Sequence, residues 1–183
     1  MQYWRCFSVS TSTIINILSF PEYWALDIKT LSDDELIALR AEVESEMRVR
    51  GISMSVGDIG EVLAIGYFNS TPGLPTLKAA PPGTKNIDAI SRDGDRYSIK
   101  TRLKAKKTGT IYPDDTNPDK QLFEYILLVR IDDSYQLVSI HQFTWDQFVQ
   151  LRAWDKRMSA WYLPCSNKAL ALGHEIVNVA SQS

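Results

Sequence analysis

The chain has 183 residues, 44% apolar and 23% charged, enough for one domain with a sizeable core and ordinary for a soluble globular protein. Its formal net charge of -2 excludes a generic polyanion binder. Two distant cysteines, Cys6 and Cys165, without a Cys/His cluster argue against a structural zinc site and fit a reducing cytoplasm.

The apolar stretch Ile14–Phe20 is too short to span a bilayer, is interrupted by Pro21 and has no Ala-x-Ala site after it. It is expected to be part of an N-terminal extension packed on the domain, so no membrane partner is expected. The sequence divides into a helical extension over residues 1–54 and a core with a C-terminal helix over 55–183.

Ser32 and Glu35 form a capping box, Leu31 and Leu36 occupy hydrophobic-staple positions, and Leu36, Leu39, Val43 and Met47 follow helical spacing to Gly51. A second helix is expected over Val56–Phe68, capped by Ser55, with Ile59, Val62, Leu63 and Gly66 toward the core. Residues 70–83, rich in Pro and Gly, read as a loop. A strand hairpin over 86–102 and a polar loop over 104–118 follow. Phe123–Ile131 is a near-continuous apolar run, the mark of a buried central strand, and Tyr135–Ile140 reads as its neighbour. Thr144 caps a helix expected to reach Met158, with Trp145, Phe148, Leu151 and Trp154 inward. The order predicts an α/β fold: a single mixed β-sheet flanked by helices.

Charge is unevenly spread. Residues 1–60 carry nine acids against five Lys/Arg, whereas 78–107 carry nine Lys/Arg against three acids, so the hairpin region is a basic strip suited to a docked polyanion. Within it, Asp88 and Lys100 stand on what read as paired strands. Ser98 and Lys100 share a face, because side chains alternate along a strand. Asp88 joins them only if paired residue numbers sum to an even value. A two-residue Asp93-Gly94 loop would set Asp88 opposite Ile99 and break the group. A three-residue loop, Arg92-Asp93-Gly94 with Gly94 left-handed, sets it opposite Ser98 and is the register expected. The same parity extends a cationic row through Arg96, Arg102, Lys104 and Lys106, with Lys107 beside it, placed to hold phosphates without reading bases.

Phosphodiester hydrolysis with a divalent cation needs carboxylate oxygens for a hard ion and a lysine to orient water or meet growing charge. Asp88 and Lys100 fit those roles, and Glu61 on the preceding helix supplies a second acid. His141 and His174 lack a Ser or Cys partner at a telling position, which argues against a nucleophilic triad. Gly57 and Gly60 open a helix with no strand before it, so they do not form a phosphate-cradling loop.

Three segments, Gly60–Ala64, Gly83–Ile90 and Tyr97-Ser98-Ile99-Lys100-Thr101, together resemble the PD-(D/E)xK restriction-endonuclease-like superfamily over roughly residues 55–140. The resemblance implies an αβββαβ core and a Mg²⁺-dependent DNA endonuclease, with Mn²⁺ as substitute. It also implies Asp88 as central metal ligand, Glu61 as the helical acid completing the metal site, and Lys100 as catalytic lysine. DNA is the implied partner, and a homodimer is an option, since such enzymes often pair to cut both strands. Ser98 departs from the pattern, standing where the family has Asp, Glu or Gln. Serine is a poor Mg²⁺ ligand. Glu61 is the first choice to compensate, with Asp114, Asp115 and Glu124 as downstream alternatives. A catalytically inactive DNA-binding or interaction protein on the same fold, or an unrelated α/β scaffold, stay open as alternatives.

Overall fold

The computed structural model describes residues 27–53 and 55–179. The expected packing of Ile14–Phe20 lies outside the described residues. The chain divides into two compact units, Met1–Val43 and Glu44–Ser183, with the boundary inside the first long helix.

That helix, α1 (Asp33–Val49), starts where the capping box requires. Glu35 Oε2 accepts from Ser32 N at 2.8 Å, and Ser32 Oγ accepts from Glu35 N at 3.4 Å. It ends before Gly51, whose φ of +70° suits glycine. None of its residues is buried.

The second unit is built on a mixed six-stranded sheet flanked by helices, the α/β fold expected. Helix α2 (Val56–Ser70) is followed by β1 (Leu77–Ala79), β2 (Ala89–Ser91), β3 (Arg96–Arg102), β4 (Tyr125–Ile131) and β5 (Leu137–Thr144). Helix α3 (Trp145–Leu151), hairpin strands β6 (Ala153–Asp155) and β7 (Ala160–Tyr162), α4 (Asn167–Leu170) and β8 (His174–Asn178) complete it. The sheet order is β1-β2-β3-β4-β5-β8, antiparallel except for the parallel pair β3 and β4. Residues 103–124 make the crossover between that pair without a helix. A parallel connection needs a dozen or more residues to return, and irregular chain of this length suffices. The crossover packs through Ile111 and Phe123 against Phe148 of α3 and Leu163, so extended chain and α3 together cover that face. On the other face, Ala64 and Phe68 of α2 pack on Tyr97, Ile99, Leu127, Val129 and Ile140.

Several expectations need correction. Within the presumed loop 70–83, Leu77–Ala79 forms an edge strand. Asn69 Oδ1 accepts from Leu77 N at 2.8 Å and its Nδ2 donates to Leu77 O at 3.0 Å, so one helical side chain substitutes for a neighbouring strand. Helix α2 is turned in part from the expected face: Ile59 and Leu63 pack against the core as expected, but its buried residues are Gly60, Ala64 and Phe68, whereas Val62 and Gly66 are exposed. The cause is close approach, since a Cβ at Gly60 would overlap the Thr101 side chain on β3. Helix α3 stops at Leu151 rather than near Met158. Asp155 Oδ1 takes the N–H groups of Arg157 and Met158, Ser159 adopts φ of +48°, and Trp154 meets Trp161 across the hairpin at 4.6 Å. The Thr144 capping box with Gln147 forms as expected.

Candidate active site

The hairpin register decides what the site contains. Ala89 lies opposite Tyr97 and Ile90 opposite Arg96, so paired residue numbers sum to an even value, and Asp88, just outside the paired residues, donates its N–H to Tyr97 O at 2.8 Å. The loop is the three-residue Arg92-Asp93-Gly94 expected: Ser91 N donates to Asp95 O at 2.8 Å, and Gly94 has φ of +93°. Asp88 therefore shares a face with Ser98 and Lys100.

Asp88 sits one residue before β2 begins, where the two strands part. Beyond this point the Ile99 N–H has lost its strand partner, because the chain turns away at Asn86, which has φ of +63°. The Asp88 carboxylate fills that role: Oδ2 accepts from Ile99 N at 2.6 Å, from Lys100 Nζ at 3.1 Å and from Ser98 Oγ at 3.3 Å. One oxygen thus gathers three donors, and no hydrogen bond engages Oδ1 among the described residues. Asp88 and Lys100 side chains are 18% and 17% exposed, sheltered but reachable.

Glu61 completes the group from α2. The Gly60–Thr101 contact seats the helix on β3, and Thr101 Oγ1 donates to Gly57 O at 3.4 Å, fixing the helix turn that carries Glu61. The Glu61 carboxyl is pushed up to about 7, by burial first, then by Asp88 and Asp58, with Lys100 opposing. Among the described residues it has no hydrogen-bond or ion-pair partner. An uncompensated acid beside an acid already held by donors is the arrangement a cation relieves. Asp58 was not singled out from the sequence; its N–H bonds the Ser55 cap and its carboxylate the Ser53 hydroxyl.

Among the described residues no group of three or more His, Cys, Asp or Glu could hold a metal. The candidate donors are the two carboxylates Asp88 and Glu61. That pair fits Mg²⁺, which is usually held by one or two carboxylates with water and substrate phosphate making up the rest. Ser98 is not a candidate ligand: it is fully buried and its hydroxyl is spent on Asp88. It positions the aspartate.

The downstream acids are committed elsewhere. Glu124 grips Arg96 through both oxygens, at 2.7 and 3.0 Å, and this pairing lowers its carboxyl below the ordinary range. Asp114 accepts from Thr116 and Lys120 and is likewise held low, by Thr116 first. Asp115 is exposed and 3.5 Å from Lys85.

The cationic row is shorter than expected. Strand β3 ends at Arg102, so Lys104 and Lys106 do not continue its face. Arg96 is clamped by Glu124 and is not open to a phosphate. Arg102 donates to Cys165 O at 3.1 Å. Lys104 and Lys107 are exposed, in surface ion pairs with Asp133 at 2.7 Å and Asp155 at 2.6 Å, and Lys106 is exposed. What the structure brings together is Asp88, Lys100, Glu61 and Ser98.

No family model matches the chain, and no curated protein matches it. No helix of the described residues is long and apolar enough to cross a membrane.

Proposed function

We propose that this chain is a metal-dependent endonuclease that hydrolyses phosphodiester bonds in DNA. The observation that carries the reading is the bonding at Asp88: one oxygen is held by Ile99 N–H and Lys100 Nζ, and among the described residues the other has no bond and Glu61, which acts on Asp88 electrostatically, has no partner. The resemblance to the PD-(D/E)xK superfamily at the same residues supports it.

Asp88 and Glu61 would hold Mg²⁺, or Mn²⁺ in its place, and a bound ion would neutralise phosphate charge and make water more acidic. The rest falls to the chain. Ile99 N–H and Ser98 Oγ fix Asp88. Asp88 in turn orients the Lys100 ammonium, which spends one N–H on it and keeps two for the attacking water or a phosphoryl oxygen. Exposed Lys104, Lys106 and Lys107 give the DNA backbone cations without base selectivity. A cytoplasmic homodimer cutting both strands belongs to the same reading.

The test is nicking of supercoiled plasmid with Mg²⁺, with Mn²⁺ and with chelator, using wild type, Asp88→Ala and Lys100→Ala. Metal-dependent nicking lost in both variants is the expected result, and nicking that survives both removes the site. A second reading, DNA binding without cleavage, is favoured by Ser98, which leaves the site one carboxylate poorer than the family pattern. Salt-sensitive binding by wild type with no nicking in either metal would select it.

A further inference from the structure

A second polar group lies on the face of the sheet that carries Ser98 and Lys100, further along β3. Arg102 is opposite Arg130 in the parallel pair, Arg130 is opposite Ser139 in the next pair, and Leu128 is opposite His141. Directly opposed residues share a face, so Arg102, Arg130, Ser139 and His141 form one cluster across three strands. Its bonding is incomplete. Four buried side-chain atoms lack a hydrogen-bond partner among the described residues, and three of them are here: Arg102 Nε, Ser139 Oγ and His141 Nδ1. Buried polar atoms are rarely left so, and of these three residues His141 also lines an open cavity. Arg130 has no ion pair or hydrogen bond from its side chain among the described residues. Both arginines act on the Cys165 thiol, which burial pushes up and they pull down, so the two like charges stand close together.

Arg130 and His141 line a cavity of about 520 Å³ with Asn167 and Glu175. That volume is within the usual range for a small-molecule site. His141 is 6% exposed, a built wall rather than a surface side chain. One carboxylate is present: Glu175 Oε2 lies 3.4 Å from His141 Nε2 and accepts from Asn178 Nδ2 at 3.0 Å. It does not pair with Arg130, the one arginine that lines the cavity, so that guanidinium has no acid of its own there. A planar guanidinium with an unbonded fork, lining one cavity with an imidazole and an amide, is matched best by an anion presenting several acceptor oxygens in a tetrahedron.

We infer that the cavity between Arg130, His141 and Asn167 is a binding site for the phosphate group of a nucleotide or polynucleotide, separate from the Asp88 site. Phosphate oxygens take the Arg130 fork, and His141 and Asn167, which line the same cavity, complete their shell.

The chain has only two histidines, His141 and His174, so imidazole NMR resonances locate binding without crowding. Inorganic phosphate, thymidine 5′-monophosphate and a short single-stranded oligothymidine are titrated at constant ionic strength against chloride. His141 is expected to shift with phosphate while exposed His174 stays. Arg130→Met is expected to weaken binding at least about tenfold, the loss of one bidentate charged pair. Arg130→Lys, which keeps the charge and guards against a misfolded Met variant, is expected to weaken it less. Asp88→Asn is expected to bind phosphate as wild type does, so failure of the nuclease reading leaves this result untouched. Tighter binding of the mononucleotide identifies a free nucleotide as the source, and tighter binding of oligothymidine identifies a polynucleotide. An unmoved His141 with all three probes overturns the inference, as does equal phosphate affinity in wild type and both Arg130 variants.

Discussion

The two halves of β3 handle charge in opposite ways. At Ser98 and Lys100, three donors converge on one oxygen of Asp88 and the uncompensated group is an acid, Glu61. At Arg102, beside Arg130, donors outnumber acceptors and the uncompensated groups are guanidinium, hydroxyl and imidazole atoms. On the two proposals made above, the same strand presents a cation-seeking end and, two residues further on, an anion-seeking end. Protein folding alone favours neither, because buried polar groups left unmatched lower stability. The contrast locates where binding partners are expected and states their sign.

The comparison breaks most sharply at the chemical step. Lys100→Ala should cut Mg²⁺-dependent plasmid nicking about a hundredfold to a thousandfold, the usual loss of one charge-stabilising donor, while circular dichroism stays unchanged. Nicking at the wild-type rate would mean the acid end does no chemistry.

Next comes the seat of α2. Gly60→Ala forces a methyl group into Thr101 and should cost about 1–3 kcal/mol, lowering Tm by several degrees in a thermal melt. The double variant Gly60→Ala with Thr101→Ala should recover only part of this, because the Cβ at 101 would still lie 2.6 Å from the new methyl group, and no recovery at all would place the strain elsewhere.

Glu61 gives a pH signature. Its folded-state value of about 7 lies above the ordinary 4.5, so the folded state binds its proton more tightly than the unfolded state. The contribution to stability is full below about 4.5 and is lost as pH rises through about 7. Discounted for solvent screening, the loss is about 1–2 kcal/mol. Urea melts of metal-free protein at pH 5 and pH 8 should show it, and Glu61→Gln should flatten the difference. Added Mg²⁺ should stabilise wild type more at pH 8 than at pH 5, and should act little on Glu61→Gln. An identical Mg²⁺ response in the variant would remove Glu61 from the cation-seeking end.

The smallest effect belongs to Ser98. Its 3.3 Å bond to Asp88 is long, so Ser98→Ala should cost about 0.5–1.5 kcal/mol in a urea melt and keep most nicking. Ser98→Asp would sharpen the comparison further: a fully buried position beside Asp88 has no solvent for a second charge, and the variant should be less stable than Ser98→Ala.

What the sequence made legible was local or periodic. Capping boxes at Ser32/Glu35 and Thr144/Gln147 are satisfied within one turn of chain, so residue type suffices to find them. The hairpin register followed from strand alternation and the φ that Gly94 can adopt. The α/β arrangement followed from element order. The rest depended on distant partners. β1 exists because Asn69 and β2 pair with it. The face of α2 was set by a helix-to-strand contact between two small residues. The cationic row looked continuous because parity continued in the sequence beyond Arg102, although the strand does not. Arg96 read as a free cation because its partner, Glu124, is far along the chain. Ser98 read as a gap in the metal site because its burial was invisible.

The Ser91–Asp95 closing pair makes the hairpin sensitive to counting as well as to chemistry. A codon lost between those two residues would shorten the loop and leave Asp88 beside Ser98, three residues out along each strand. A codon lost between Asp88 and Ser91, or between Asp95 and Ser98, would turn Asp88 away from Lys100 with every reactive side chain still encoded. Among chains related by descent, equal spacing of the acid and of the serine position from the closing pair would therefore mark those able to keep the Asp88–Lys100 pair, and spacings that differ by one those that have given it up.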